Sequence, residues 1–391
     1  MRRIVPILMI FMLLFVPALA EEAQDITGEC TFVRKTSQVD FKPILDRNYA
    51  SFFTMNPNRV VEVRAEEDIS GVYLQFFRYA YPLNIQYEQD GEWIFHNTTD
   101  GTYLTAYVPL PEGTRKIQII NKSGKKVDLA EVSIFGAGDK PGHIPEWEAP
   151  AKADLLLVST HPDDELLWFG GLLPTYAGEK DLAVQVAYLV PSIGYRRLEL
   201  LDGLWHCGVE RYPLFLEMLD KRAPNLKKQY ELWNRNTLLE KVVTAIRQVQ
   251  PEVIVTQDER GEYGHGAHRA CADVCKQAII DAADAAKYKK SVQEYGVWQA
   301  KKLYLHLYGE NQIRFNWREP LSVFEGKDGL TVAAEALAFH KSQTMGGWAM
   351  EEGGQYDNAL FGLFFSTVGE DIEKNDLMEN IPEEWLAGTA D

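Results

Sequence analysis

Leu155-Leu156-Leu157-Val158-Ser159-Thr160-His161-Pro162-Asp163-Asp164-Glu165 is the stretch on which the fold turns. Residues 155–158 are wholly apolar, the pattern of a strand buried on both faces of a parallel sheet. An imidazole and three carboxylates follow at once, where open α/β sheets place their ligands, beyond the carboxyl ends of the strands. Downstream, helical and strand periodicities alternate. A helix is expected around 165–176, a strand over 184–190, and helices over 196–207 and 229–249, the last stopped by Pro251. A second wholly apolar strand is expected over 253–256 and a helix over 268–282. This alternation predicts a three-layer, Rossmann-like α/β domain over residues 153–391 with a mostly parallel sheet.

Upstream the period changes to two. Segments 59–64, 71–76 and 116–120 read as short strands, separated by polar turns such as Gln89-Asp90-Gly91-Glu92 and Asn121-Lys122-Ser123-Gly124. Residues 21–138 are therefore expected to form an all-β sandwich. Its last strand, ending in Gly136-Ala137-Gly138, resembles the closing strand of discoidin-like, galactose-binding jelly rolls, which implies a carbohydrate-binding module. Residues 139–152, with Pro141, Pro145 and Pro150, read as a linker.

The first twenty residues stand apart. Arg2 and Arg3 precede an apolar run over 4–16, and Ala18-Leu19-Ala20 presents small residues before Glu21 and Glu22. This is the layout of a cleavable secretory signal, with cleavage after Ala20 and a secreted or cell-surface product. The rival, an uncleaved anchor, is disfavoured because the run is short and Pro6 and Pro17 interrupt it. No later stretch is apolar enough to span a bilayer, so no stable membrane span is expected after cleavage. The net charge is −17 over 391 residues, and loss of Arg2 and Arg3 makes the remainder more acidic. Phosphate backbones repel such a chain, which sets aside nucleic acid as a partner. Four cysteines (Cys30, Cys207, Cys271 and Cys275) are too few for a disulfide scaffold and read as buried thiols.

His161, Asp163, Asp164 and Glu165 admit two readings. Carboxylates favour the first turn of a helix, and capping accounts for Asp163 or Asp164 and for Glu165. Capping does not account for His161. A second segment, Gly261-Glu262-Tyr263-Gly264-His265-Gly266-Ala267-His268, follows the 253–256 strand and opens a helix, with two histidines three apart on one face. Histidines and a carboxylate converging on one crevice, with an open coordination position, suit a catalytic zinc rather than a structural one.

Together these motifs resemble the PIG-L/LmbE-type zinc-dependent de-N-acetylases, which carry a His-Pro-Asp-Asp-Glu loop and a later His-x-x-His. The likeness covers roughly residues 153–345. It includes Arg196-x-x-Glu199 with Cys207-Gly208, the run Phe215-Leu216-Glu217-Met218-Leu219-Asp220, and Phe339-His340-Lys341-Ser342-Gln343. The resemblance implies that His161, Asp164 and His268 bind Zn2+, with another first-row divalent metal as the alternative, and that Asp163 is the general base. It implies that His265 and Tyr263 face the oxyanion, and that Arg196 and Asp220 contact substrate. The implied partner is an N-acetylated amino-sugar glycan or glycoconjugate. In one departure, Gly266-Ala267 stands where many relatives have Pro-Asp, whose Asp orients the neighbouring histidine; Glu262 or Asp258 is expected to substitute. Glu165 is expected at the helix start, and His206, His306 and His340 in core or surface roles. The rival functions are hydrolysis of another amide or an ester at the same metal, and a catalytically silent glycan-binding protein.

Overall fold

The computed structural model describes residues 21–33, 39–191, 194–346, 349–350 and 352–387. The expected signal segment, 1–20, lies outside them. Nine strands fill the N-terminal part: β1 (Thr31–Val33), β2 (Phe53–Met55), β3 (Val60–Arg64), β4 (Gly71–Phe76), β5 (Leu83–Gln89), β6 (Glu92–Thr98), β7 (Thr105–Pro109), β8 (Lys116–Asn121) and β9 (Val127–Phe135). They form two antiparallel sheets, ordered β1-β3-β8-β5-β6 and β2-β9-β4-β7. The β5–β6 hairpin closes through Asp90 and Gly91, both at positive φ (53° and 88°), as a tight two-residue turn between right-twisted strands requires. Val63, Ile85 and Ile119 from one sheet and Val72, Leu74 and Ile134 from the other join one buried cluster.

The second part is a seven-stranded sheet. Its strands are β10 (Leu155–Ser159), β11 (Val184–Tyr188), β12 (Leu214–Phe215), β13 (Val253–Thr256), β14 (Lys302–His306), β15 (Gln312–Arg314) and β16 (Leu360–Ser366). The order is β12-β11-β10-β13-β14-β16-β15. The first five strands are parallel, and β16 and β15 add an antiparallel edge. Alternate residues of the central strands face opposite layers. Leu156, Val158 and Ile254 pack with α4 (Arg235–Val249) and α5 (Gly266–Asp281), numbered after α1 (Asp164–Leu167), α2 (Tyr195–His206) and α3 (Leu226–Leu232). Leu155, Leu157, Val253 and Val255 pack toward α1, α2 and the later helix α7 (Gly329–Leu337), which follows α6 (Lys289–Tyr295). The cluster on this second face is continuous with the core of the N-terminal sheets.

The chain leaves β10 toward β11 on one side and returns to β13 on the other. The order therefore reverses between β10 and β13, and the carboxyl ends of these strands open the crevice where such sheets bind ligands.

Three expectations change. The helix around 165–176 is only α1, because Gly170 sits at φ 52° and turns the chain before a π-helical segment at Pro174–Glu179. The single helix over 229–249 is two: Asn234 leaves helical geometry and its side chain caps the Thr237 amide of α4. Residues 139–152 lack helix and strand as expected but are packed down: Trp147 is buried and donates to Thr105 Oγ1, and Glu148 bridges to Arg211. All four cysteines are free; Cys207, Cys271 and Cys275 are buried.

Candidate metal centre

Beyond β10 the backbone turns sharply. Asp163 takes φ 111°, ψ −30°, a conformation that costs a non-glycine residue of order 1–3 kcal/mol. It occupies the capping position of α1, yet its carboxylate caps no amide. Instead Glu165 Oε2 accepts the Asp163 amide at 2.8 Å and holds the turn. Asp164 likewise turns back rather than capping: its Oδ2 accepts the His161 amide at 2.8 Å and lies 3.0 Å from His161 Nδ1. Trp168, one turn along, donates Nε1 to Asp164 Oδ1 at 2.7 Å. The capping alternative therefore fails for both aspartates.

From the end of β13, Gly261 at φ 72° lets the loop fold so tightly that the His265 amide donates to Gly261 O at 2.9 Å. This brings His268, in the first turn of α5, into the crevice. His161, Asp164 and His268 each offer a ligand atom, all within 4.8 Å of one another. His268 Nδ1 faces Glu262 Oε2 at 2.6 Å, so in the neutral ring the proton sits there and Nε2 keeps the lone pair. That Nε2 is fully buried, 3.2 Å from Asp164 Oδ2, and makes no hydrogen bond. A buried imidazole lone pair converging with a second imidazole and a carboxylate, the latter with one oxygen already occupied by Trp168, fits a three-ligand zinc site with an open position.

The electrostatics follow from burial and pairing. Burial alone would raise Asp164, but His268 and His161 outweigh it and hold its carboxyl well below the usual range. Burial and then the Asp164 charge push Asp163 up to about 8, against the pull of Arg196. Burial, with the charges of His268 and His161, lowers His265 to about 3.

The other expected residues fall around one cavity of about 590 Å³, lined by His161, Asp163, Asp164, Arg196, Asp220, Tyr263 and His265. Arg196 Nη2 donates to Pro162 O at 2.7 Å and lies 3.5 Å from Asp163 Oδ2. Asp220 is exposed, in the loop beyond β12. Neither Glu262 nor Asp258 partners His265. Glu262 serves His268 and His306, while Asp258 Oδ1 accepts the Arg260 amide. His265 Nδ1 instead accepts the Ala267 amide at 3.3 Å, so in its neutral form Nε2 carries the proton. The Gly266-Ala267 departure has a packing cause. A Cβ on Gly266 would lie 2.6 Å from Ala223 O, and the Gly266 amide donates to that same oxygen; Ala267 is buried in the core.

Several residues stand by the site in roles the sequence reading did not assign. His306 is a core histidine as expected, but it supports the site: its Nδ1 lies 3.2 Å from Glu262 Oε1. His340 is buried with Nε2 3.3 Å from Glu165 Oε1, behind the Asp163 turn. Ser342 donates to Glu199 from both its amide (2.9 Å) and its hydroxyl (2.5 Å), pinning residues 340–343 beside α2. Trp168 had the i,i+4 spacing to Asp164 as its only signal, and Arg222, which lines the cavity, had none.

Residues 156–279 match the family model described as PIG-L: GlcNAc-PI de-N-acetylase. A deacetylase of 1D-myo-inositol 2-acetamido-2-deoxy-alpha-D-glucopyranoside from Frankia casuarinae is 29% identical over 217 residues, covering 47% of this chain and 69% of that protein. Another so named, from Catenulispora acidiphila, is 28% identical and covers 42% of this chain and 58% of its own length. Among solved structures, the N,N'-diacetylchitobiose deacetylase of Pyrococcus horikoshii aligns with TM-score 0.38 at 16% identity, over 49% of this chain and 71% of that one. The matched segment contains both the 161–165 loop and the 261–268 loop.

Proposed function

We propose that the protein is an exported, zinc-dependent hydrolase that removes N-acetyl groups from N-acetylglucosamine-type amino sugars in glycans or glycoconjugates. The observation that carries this reading is the convergence of His161, Asp164 and His268, with Asp163 left free beside them. The deacetylase names of the relatives support the acetamido sugar as substrate class. His161, Asp164 and His268 would hold a divalent ion, which when bound would supply Lewis acidity toward water and the amide carbonyl. In its ionised form Asp163 takes the proton of the attacking water and returns it to the departing amine. His265 Nε2–H and the Tyr263 hydroxyl donate to the amide oxygen as it gains charge. Arg196 fixes the Asp163 turn, and with Asp220 it stands at the cavity wall where sugar hydroxyls arrive. The two N-terminal sheets are read as a carbohydrate-binding sandwich.

Acetate release from N-acetylglucosamine oligomers, measured with and without a chelator, tests the reading. Release that stops on chelation and returns with Zn2+ is the expected result. Binding of the oligomers with no release at any metal loading would favour the silent glycan binder instead.

A further inference from the structure

Behind the Asp163 turn lies a buried polar pair, Glu165 and His340. Asp163 stands at φ 111°, and such a conformation persists only where its surroundings hold it. Glu165 Oε2 holds it by accepting the Asp163 amide at 2.8 Å. Glu165 is itself wholly buried, and its other oxygen, Oε1, makes no hydrogen bond among the described residues. His340 Nε2 stands 3.3 Å from that oxygen on a ring that is just as deeply buried, and neither ring nitrogen bonds elsewhere. A buried carboxylate is costly without a charged or donating partner, and His340 is placed to be that partner. The buried Tyr188 hydroxyl on β11 also feels this carboxylate, but a phenol brings no charge.

The chain on both sides of His340 fixes where its ring goes. Its amide donates to Leu337 O, at the end of α7, at 3.0 Å, and its carbonyl accepts the Gln343 amide at 2.9 Å. Ser342 is anchored twice to Glu199 of α2. Helix α2 leaves room for the ring at Gly203, where a Cβ would lie 3.4 Å from His340 Nε2. Phe339 and Lys341 turn the other way, to a separate cavity of about 520 Å³ against the N-terminal sheets, whereas His340 turns to the metal cavity and to Glu165. Burial alone would lower the His340 ring, but Glu165, then Asp163 and Glu199, outweigh it and raise the ring above the ordinary imidazole value. The ring is thus held rigidly, from a segment 175 residues away, against the one carboxylate that holds the Asp163 amide.

We infer that His340 is a positioning residue for the base: acting through Glu165, it holds the Asp163 turn and so the carboxylate that receives the water's proton. The inference rests on the reading of Asp163 as base, and its test separates the two. Two substitutions of similar size and polarity distinguish this contact from packing. In His340→Gln the amide nitrogen can take the place of Nε2, whereas in His340→Asn it takes the place of Nδ1 and stops short of Glu165. Hydrogen exchange resolved at the Asp163 amide is followed on the full, zinc-loaded chain. It is measured alongside kcat and KM for N-acetylglucosamine oligomers, zinc content and thermal unfolding. H340N is expected to speed exchange at Asp163 and to lower kcat, each by about 10-fold or more, with KM, zinc content and the protection of β10 unchanged. H340Q is expected to stay near the native chain in both. Native exchange and kcat in H340N, or equal losses in the two folded variants, overturns the inference. So does a loss of protection that spreads over β10 and α1. If H340N does not fold, His340→Leu, which fills the space without a donor, carries the comparison with H340Q. If the unmutated chain releases no acetate, the exchange result still decides whether His340 holds the turn, and only the assignment of Asp163 as base falls.

Discussion

Asp163 and Asp164 are neighbours in sequence with opposite assignments, and the backbone separates them. Asp164 points back at His161 and is locked by Trp168, whereas Asp163, at φ 111°, points into the cavity under Arg196. Asp163→Asn is expected to retain zinc while losing about 10²–10⁴-fold in turnover, read by metal analysis alongside acetate release. Unchanged release at full metal content would remove Asp163 as the base. Glu262 acts one step further out, fixing the His268 ring from a fully buried position. Glu262→Gln is expected to weaken metal affinity by about 10–100-fold, read by competition with a chromogenic chelator. A variant with native affinity would show that the His268 ring is positioned by packing alone.

The elements that present these residues are short, and their ends matter more than their lengths. α5 can begin at Gly266 only because the 258–265 loop closes on itself, and Gly261 is where it closes. A Cβ there would lie 2.4 Å from His265 O, at a φ of 72° that side chains avoid. Gly261→Ala is expected to cost about 1–3 kcal/mol in denaturant unfolding and to lower metal affinity by displacing His268. Full stability with native metal binding would contradict the close approach. Where the antiparallel strands join, Lys302 of β14 is wholly buried and donates to Asp371 at 2.5 Å and to Glu379 O at 2.7 Å. Asp371→Ala leaves that ammonium without its counter-charge and is expected to destabilise by about 3–5 kcal/mol. Chemical denaturation reads the loss, and a change below 1 kcal/mol would mean that water reaches Lys302.

At the scale of the molecule, the two parts share one apolar cluster, joined through Trp147, and are further tied by the Tyr49–Asp202 bond. A core shared across the boundary couples the unfolding of the two parts. Calorimetry is expected to give one cooperative transition, coincident by tryptophan fluorescence and by circular dichroism. Two separated transitions would show that the boundary is only a contact. The continuity also explains why the proline-rich stretch 139–152 is packed rather than free: it crosses the shared core, burying Ile144 and Trp147.

The apolar runs at 155–158 and 253–256 determined on their own that two strands lie buried within a sheet, because only strands covered on both faces tolerate that composition, while their pairing side by side belongs to the tertiary structure. The His-Pro-Asp-Asp-Glu loop and the later histidine pair placed candidate metal ligands at the ends of those strands. Local sequence could not decide which of these groups meet. That required the reversal of strand order between β10 and β13, which places residues a hundred positions apart in one crevice. Nor could it reveal that Glu262 serves His268 rather than His265, that His306 and His340 stand behind the site, or that a second cavity lies beneath Phe339. Those are contacts between segments far apart in the chain, and no local periodicity encodes which buried polar group another will meet. Packing decides it, because each buried donor must find its acceptor within the space the folded elements leave.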